Sequence, residues 1–286
     1  MDYLARNIDK RLDPTLLLSG ARSIIVVAMN YTPARIIPAD EYQIAAYALG
    51  QDYHDILKQH LRLLCEEFFN EQNGMAERRE IREEKTPHAL FKICVDTVPI
   101  LERYWAWQAG IGFIGHNHQL IIPHAGSMFF LGEIITTYAF DCYDQPMENR
   151  CGTCQRCIDA CPTGALSSFD SRKCLSYQTI ENKGSIDHDI EDKMGLSIYG
   201  CDRCQQVCPF NRFAPPTDIT ELQPSDTLLK MKQHDWQQLS VADYQRLFKG
   251  SAVKRAKYEG LMRNIRAVSG QQSKMKLQSR IDSHDA

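Results

Sequence analysis

The strongest constraint on this 286-residue chain is the spacing of eight of its 11 cysteines. Cys151-x2-Cys154-x2-Cys157-x3-Cys161-Pro162 is followed by Cys174, and then by Cys201-x2-Cys204-x3-Cys208-Pro209. The first run is the spacing that holds a [4Fe–4S] cluster in bacterial electron carriers, where the fourth cysteine serves a second cluster. Three thiolates on one short loop cover three corners of a cube, and the cysteine turned away by the proline reaches another cube. On that logic Cys151, Cys154 and Cys157 take Cys208, while Cys201 and Cys204 take Cys161 and Cys174. Paired CxxC also suits tetrahedral zinc, but consecutive x2 spacings closed by x3-Cys-Pro favour two clusters. Those spacings, and the lack of a legible signal peptide, argue against disulfides. Cys65, Cys94 and Cys142 sit among apolar residues and read as small buried hydrophobes.

Two clusters move electrons singly, but carrying electrons alone needs far fewer residues than this. The roughly 150 residues ahead of the first run suffice for a core of their own. A hydrophobic content of 43% and a charged content of 24% describe an ordinary globular chain. No apolar run approaches the roughly 18 residues of a membrane span, so a cytoplasmic protein without membrane contact is expected. The expected fold class is α+β or α/β. It comprises a catalytic domain over residues 1–145, a ferredoxin-type two-cluster domain over 146–215 and a basic helical tail over 216–286. Strands are expected at 24–29, 91–95, 119–122 and 128–138, the first as a buried strand. Residues 52–72 read as a helix with Leu57, Leu61, Leu64, Cys65 and Phe68 on one face. A second helix is expected over 99–109, ended by Gly110. The mixed charges of residues 77–85 read as a solvated surface.

Several segments carry more than scaffold. Asp96 ends a strand just ahead of a helix, where taken alone it reads as an N-cap. Gly110-x-Gly112-x-x-Gly115 follows a helix rather than a strand, which weakens a dinucleotide reading. Its glycines suit a tight turn or close approach to a large flat ligand. His116 and His118 lack obvious partner acids, which disfavours a metal pair. Asp52-Tyr53-His54 is followed by Leu57 where a cobalt-ligating Asp-x-His-x-x-Gly signature needs glycine. Tyr53 and His54 read equally well as helix-start structure.

The chain carries Tyr47-Ala48-x-Gly50-x-Asp52-Tyr53-His54, Val95-Asp96-Thr97-Val98-Pro99-Ile100-Leu101-Glu102 and Gly112-Phe113-Ile114-Gly115. It also carries Phe130-Leu131-Gly132-Glu133, Cys174-Leu175-Ser176-Tyr177, Ile198-Tyr199-Gly200-Cys201-Asp202 and both cysteine runs. In this combination it resembles the epoxyqueuosine reductases, cobalamin-dependent iron–sulfur enzymes distantly similar to reductive dehalogenases. The resemblance implies reductive removal of the epoxide oxygen of epoxyqueuosine at the wobble position of tRNA. Electrons would pass through the two clusters to base-off cobalamin, whose reduced cobalt attacks the epoxide, and Asp96 would deliver a proton. An acid placed where an alkoxide develops lowers the barrier, provided burial raises its pKa. The implied corrinoid contacts are Arg6, Tyr53, His54, Asp96, Leu120, Leu131, Ser176, Asp202 and Arg203, with no histidine on cobalt. The implied state is a monomer receiving electrons from a flavodoxin or ferredoxin. Where the family commonly reads Gly-Lys-Asn-Thr, this chain has Gly115-His116-Asn117-His118. Members usually carry further residues before the Met1 motif, and many continue into HEAT-like repeats, so a shorter form is expected here.

The net charge is −3, yet residues 249–280 hold nine Lys or Arg against one acid, Glu259. Lys254, Arg255 and Arg263, with Lys183, are candidates for holding tRNA phosphates; a solvated basic helix is the plainer alternative. Two other functions account for part of the pattern. One is a two-cluster electron carrier with a docking domain, which leaves Asp96 idle. The other is a corrinoid reductase of a small molecule, which leaves the basic tail idle.

Overall fold

The structure, a computed structural model, describes residues 6–76 and 90–282, with side chains described to residue 68 in the first segment and to residue 271 in the second. The expected surface segment 77–85, the first five residues and the side chains of Lys274, Lys276 and Arg280 lie outside the described residues. In chain order the strands are β1 (Ser23–Asn30), β2 (Gln43–Ile44), β3 (Phe91–Cys94), β4 (Phe113–Ile114), β5 (Leu120–Ile121), β6 (Phe129–Thr136) and β7 (Ser197–Tyr199). The first helices are α1 (Ile8–Leu12), α2 (Tyr53–Ala76) and α3 (Glu102–Gln108). Beyond them come α4 (Arg156–Asp159), α5 (Ala165–Ser168), α6 (Leu175–Ile180), α7 (His188–Glu191) and α8 (Arg203–Gln206). The last are α9 (Asp226–Lys230), α10 (Gln233–Gln237), α11 (Val241–Leu247) and α12 (Lys257–Asp282). The chain divides into two compact units, one of residues 1–30 and 53–152, the other of residues 31–52 and 153–286.

The first unit is built on a three-stranded sheet of order β1-β6-β3 in which every pairing is antiparallel. An α+β arrangement is therefore found, and the α/β alternative, which needs parallel crossovers, is not. Strand β6 lies in the middle, and its last five residues are all buried. Strand β1 pairs on one side only and is mostly half-buried, which corrects the expectation of a buried strand. In α2, Leu57, Leu61 and Cys65 are 1% exposed, but Leu64 is 43% exposed. The buried stripe advances in steps of four residues, and Leu64 falls at its edge. Helix α2 lies close on β6 because position 132 is glycine: a Cβ there would come within 2.7 Å of Leu61 Cδ1. The glycines at 112 and 115 also serve internal packing. An added Cβ would meet the Ile121 carbonyl from the first and the Ile121 side chain from the second, so they close the β4–β5 hairpin rather than admit a flat ligand. Cys65 and Cys94 are buried as expected, whereas Cys142 is exposed.

The second unit pairs β2 and β7 in parallel and surrounds them with short helices. Trp236 and Phe248 stack with centroids 6.1 Å apart and are almost wholly buried. Leu261, Ile265 and Val268 bury one face of α12 at helical spacing. The tail from residue 216 thus belongs to the same compact unit as most of the cysteines. Among the described residues, no helix is long and apolar enough to cross a membrane.

Candidate active site

Asp96 follows β3 where the chain turns toward α3. Its φ of +51° lies in the left-handed region that few side chains tolerate, aspartate and asparagine being among them. Across it the Thr97 N–H donates to the Val95 carbonyl at 2.5 Å, a three-residue turn. The Asp96 N–H donates to Glu102 Oε1, also at 2.5 Å, so the first residue of α3 reaches back and pins the turn. The N-cap of α3 is Leu101. The capping reading of Asp96 therefore fails, and the segment expected to be helical from residue 99 begins three residues later.

The Asp96 carboxylate lies 3.0 Å from His54 Nε2. The His54 ring stacks on Tyr53 at 4.2 Å between centroids. Tyr53 stacks on Phe130 of β6 at 4.0 Å and 4°. Helix α2 and strand β6 thereby bring three separate motifs to one place. A cavity of about 210 Å³ opens here, lined by Tyr53, Asp96, Glu102, Arg103, Gln119, Leu120, Ser127, Phe129, Phe130 and Leu131. Arg103 Nη1 donates to the His118 carbonyl. Of the residues singled out from sequence, Tyr53, Asp96, Leu120 and Leu131 share this cavity and His54 touches Asp96, while exposed Arg6 is not part of its lining.

Two acids that the sequence reading assigned no role stand in the same unit. Burial pushes half-buried Glu102 up to about 7, opposed first by the Asp96 N–H that it accepts. Burial pushes Glu133, wholly inside β6, up to about 9, and charge on Glu102 adds to the effect. The signal was in the sequence: an acid inside the apolar run of residues 129–135 is rarely there without a function or a partner.

In the second unit, Ser176 is half-buried on α6. Asp202 Oδ2 accepts the Ala46 N–H at 2.6 Å, and burial pushes its carboxyl up to about 6. Arg203 donates to the carbonyls of Lys193 at 3.1 Å and Met194 at 2.8 Å. Both residues are thus engaged in holding the chain itself.

Cys151 closes the first unit, and the other seven cysteines of the runs belong to the second. Burial pushes the Cys204 thiol up to about 12, and charge on Cys201, Cys174 and Cys157 adds to it. Burial likewise pushes Cys201 up to about 11. Thiolates brought this near one another repel unless a cationic centre compensates them, which fits an iron–sulfur ligand set. Burial raises Cys161 as well, but N–H groups of Leu166, Thr163 and Ala165 and the Thr163 hydroxyl outweigh it and lower its pKa. Among the described residues, no three His, Cys, Asp or Glu stand close enough to grip a single ion. The corners of a cubic cluster are set wider than that.

The four cations proposed for tRNA differ in their commitments. Lys254 is exposed. Arg255 makes two hydrogen bonds to Glu181, at 2.9 and 3.0 Å. Lys183 Nζ donates to the carbonyls of Ile180 and Arg255 at 3.0 and 3.3 Å. Arg263 donates to the carbonyls of Asn182, Gly184 and Gln178 at 2.7 to 2.8 Å and to Asn264 Oδ1. Arg263 therefore clamps α12 to the end of α6 and the loop after it. Arg263→Ala is expected to lower unfolding free energy by about 2–4 kcal/mol, because three main-chain carbonyls lose a charged donor. Chemical denaturation measures this, and a loss below about 0.5 kcal/mol would show that the clamp is idle.

Comparison with known proteins agrees with this arrangement. Residues 11–97 match the family described as epoxyqueuosine reductase QueG, DUF1730, and residues 150–211 match a 4Fe-4S double cluster binding domain. An epoxyqueuosine reductase of Leadbetterella byssophila is 41% identical over 270 residues, covering 94% of this chain and 84% of that protein. The chain belongs to the epoxyqueuosine reductase family. The epoxyqueuosine reductase structure from Bacillus subtilis, with its catalytic aspartate loop swung out of the active site, superposes with a TM-score of 0.80 at 30% identity. It covers 93% of this chain and 69% of that one. An epoxyqueuosine reductase structure with an epoxyqueuosine-modified tRNA-Tyr stem loop gives a TM-score of 0.77 at 29% identity, with the same coverage. The double-cluster match falls on the second unit except for its first three residues, Cys151 among them.

Proposed function

We infer that this chain reduces epoxyqueuosine in tRNA to queuosine and that Asp96 is its proton donor. The observation that carries the reading is the placement of Asp96. Its carboxyl stands at an aromatic-lined cavity, held by His54 through the side chain and by Glu102 through the main chain. Converting the epoxide to an alkene and water takes two electrons and two protons, and the ring oxygen first leaves carbon as an alkoxide. An acid within reach of that oxygen captures it as hydroxyl. The relative with a catalytic aspartate on a loop supports the assignment, since Asp96 is the loop aspartate at this cavity.

Cobalamin, when bound, supplies the reducing nucleophile, and the two [4Fe–4S] clusters supply its electrons. Leu120 and Leu131 offer apolar contact to the macrocycle beside Asp96. His54 is engaged by Asp96, which suits a cobalt that takes no histidine. The Asp96 side chain is 55% exposed. The burial needed to raise its pKa comes on this reading from the corrinoid and the nucleoside, so the acid is tuned only when both are present.

A relative's complex with a modified stem loop, together with exposed Lys254 and the nearby cations Arg255 and Lys183, supports tRNA contact by the second unit. Binding of a modified anticodon stem loop is expected to weaken steeply with salt. Lys254→Glu is expected to raise Kd about three- to tenfold at low salt, with turnover at saturating tRNA held. Fluorescence anisotropy measures this, and salt-independent binding would discard the basic surface. A flavodoxin or ferredoxin is the proposed electron donor. A groove of about 700 Å³ whose lining includes Cys208 and two cations, Arg156 and Arg212, against one acid, Asp159, supports a docking place for an acidic carrier.

The deciding experiment is anaerobic incubation of epoxyqueuosine-containing tRNA with the protein, cobalamin and a strong reductant, followed by nucleoside mass spectrometry. Loss of one oxygen mass that depends on cobalamin is expected. No conversion by protein with full iron and bound cobalamin would favour a small-molecule substrate.

A further inference from the structure

Asp96 stands at the exposed tip of a loop whose two ends are fixed. Cys94 and Val95 are 0% exposed on one side, and Ile100 is 4% exposed on the other. Cys94 and Ile100 share a buried cluster with Ile135, and Val98 packs against it. Asp96 and Thr97, between these anchors, are exposed. Burial therefore fixes the path of the loop and leaves the direction of the Asp96 side chain to the groups that grip the tip. His54 grips the carboxyl, with Nε2 at 3.0 Å from Oδ2. Glu102 grips the main chain, where its Oε1 accepts the Asp96 N–H at 2.5 Å. That N–H belongs to a residue at φ +51°, at the centre of the turn that the Thr97 N–H and the Val95 carbonyl close. A turn of this kind is strained and persists only where its surroundings hold it. A carboxylate suits the task, because its hydrogen bond is roughly twice as strong as that of a neutral acceptor. Glu102 is the first residue of α3, yet its bond runs back into the turn, and the N-cap Leu101 makes no side-chain capping bond.

We propose that Glu102 is a positioning residue for the proton donor: as acceptor of the Asp96 N–H it holds the left-handed turn closed and thereby aims the Asp96 carboxyl into the cavity that both residues line. This deepens the proposed function and rests on the reading of Asp96 as the donor. The role asks of Glu102 an acceptor oxygen and not a proton. An amide oxygen can fill it, whereas a side chain without oxygen cannot. If Glu102 instead supplied the second proton of the reaction, glutamine would be as damaging as alanine. Misplacing a reacting group by about 1 Å slows turnover about a hundredfold, and nothing in this role touches the binding of tRNA.

The test is the kinetics of the holoprotein carrying Glu102→Ala, Glu102→Gln or Asp96→Asn, with iron and cobalamin content measured in each. Glu102→Ala is expected to lower kcat about 30- to 100-fold, with KM for tRNA held within about twofold. Glu102→Gln is expected to regain at least about tenfold of that loss, because it restores a neutral acceptor. Combining Glu102→Ala with Asp96→Asn is expected to be no more than about twofold slower than Asp96→Asn alone, since Glu102 acts through Asp96. The proposal is overturned by a Glu102→Ala kcat within about threefold of the parent, by a Glu102→Gln as slow as Glu102→Ala, or by losses that multiply in the combined variant. Should Glu102→Ala fail to fold, hydrogen exchange in the parent decides. The Asp96 amide is expected to exchange at least about tenfold more slowly than an unprotected amide, and exchange at the unprotected rate refutes the grip. A failure of the donor reading shows separately, as Asp96→Asn turning over like the parent.

Discussion

Asp96→Asn is expected to slow epoxide reduction at least about a hundredfold, a barrier increase of at least about 2.7 kcal/mol, while iron and cobalamin content stay at the parent level. Asparagine is the informative replacement because the backbone there has a φ of +51°. Like aspartate it tolerates that conformation, whereas alanine would add strain of roughly 1–2 kcal/mol and mix a structural effect into the kinetics. The amide also keeps a hydrogen-bonding partner for His54 and leaves the Asp96 N–H free to reach Glu102, so only the transferable proton is removed. The loss should fall on kcat, with KM for tRNA nearly unchanged, because the residue acts on the opening oxygen and not on the nucleic acid. Single-turnover assays with quantified metal and corrinoid content check this. A variant that turns over within threefold of the parent would end the proton-donor assignment.

Cys174→Ala is expected to remove one cluster and leave the other, so iron falls from about eight to about four per chain and turnover stops. Cys174 stands at the N-cap of α6 but makes no side-chain capping bond, so alanine does not unseat the helix. The substitution therefore tests ligation and not folding. Charge on Cys174 acts on both Cys201 and Cys204, and charge on Cys157, which the partition gives to the other cluster, acts on Cys204 as well. Iron analysis and electron paramagnetic resonance of the reduced protein read the outcome. Retention of about eight irons would break the partition.

The sequence by itself determined what is local. The cysteine spacing announced two clusters because ligand loops are short and the proline fixes which thiol turns away. The strands at Phe91–Cys94 and Phe129–Thr136 and the helix at Tyr53–Ala76 followed from side-chain periodicity, which reports a residue's immediate neighbours. Asp96 stood out through its motif, although the left-handed turn and the Glu102 contact that hold it were not legible. The tertiary structure alone decided that β6 is the central strand, since antiparallel order depends on which edges meet across a hundred residues. It decided that Arg263 is a clamp, because a guanidinium's role is set by the carbonyls that folding brings to it. Glu102 and Glu133 lie 31 positions apart, and no period links them. Only the turn between β3 and α3 brings the Glu102 carboxyl back onto the Asp96 N–H, and only the central place of β6 buries Glu133.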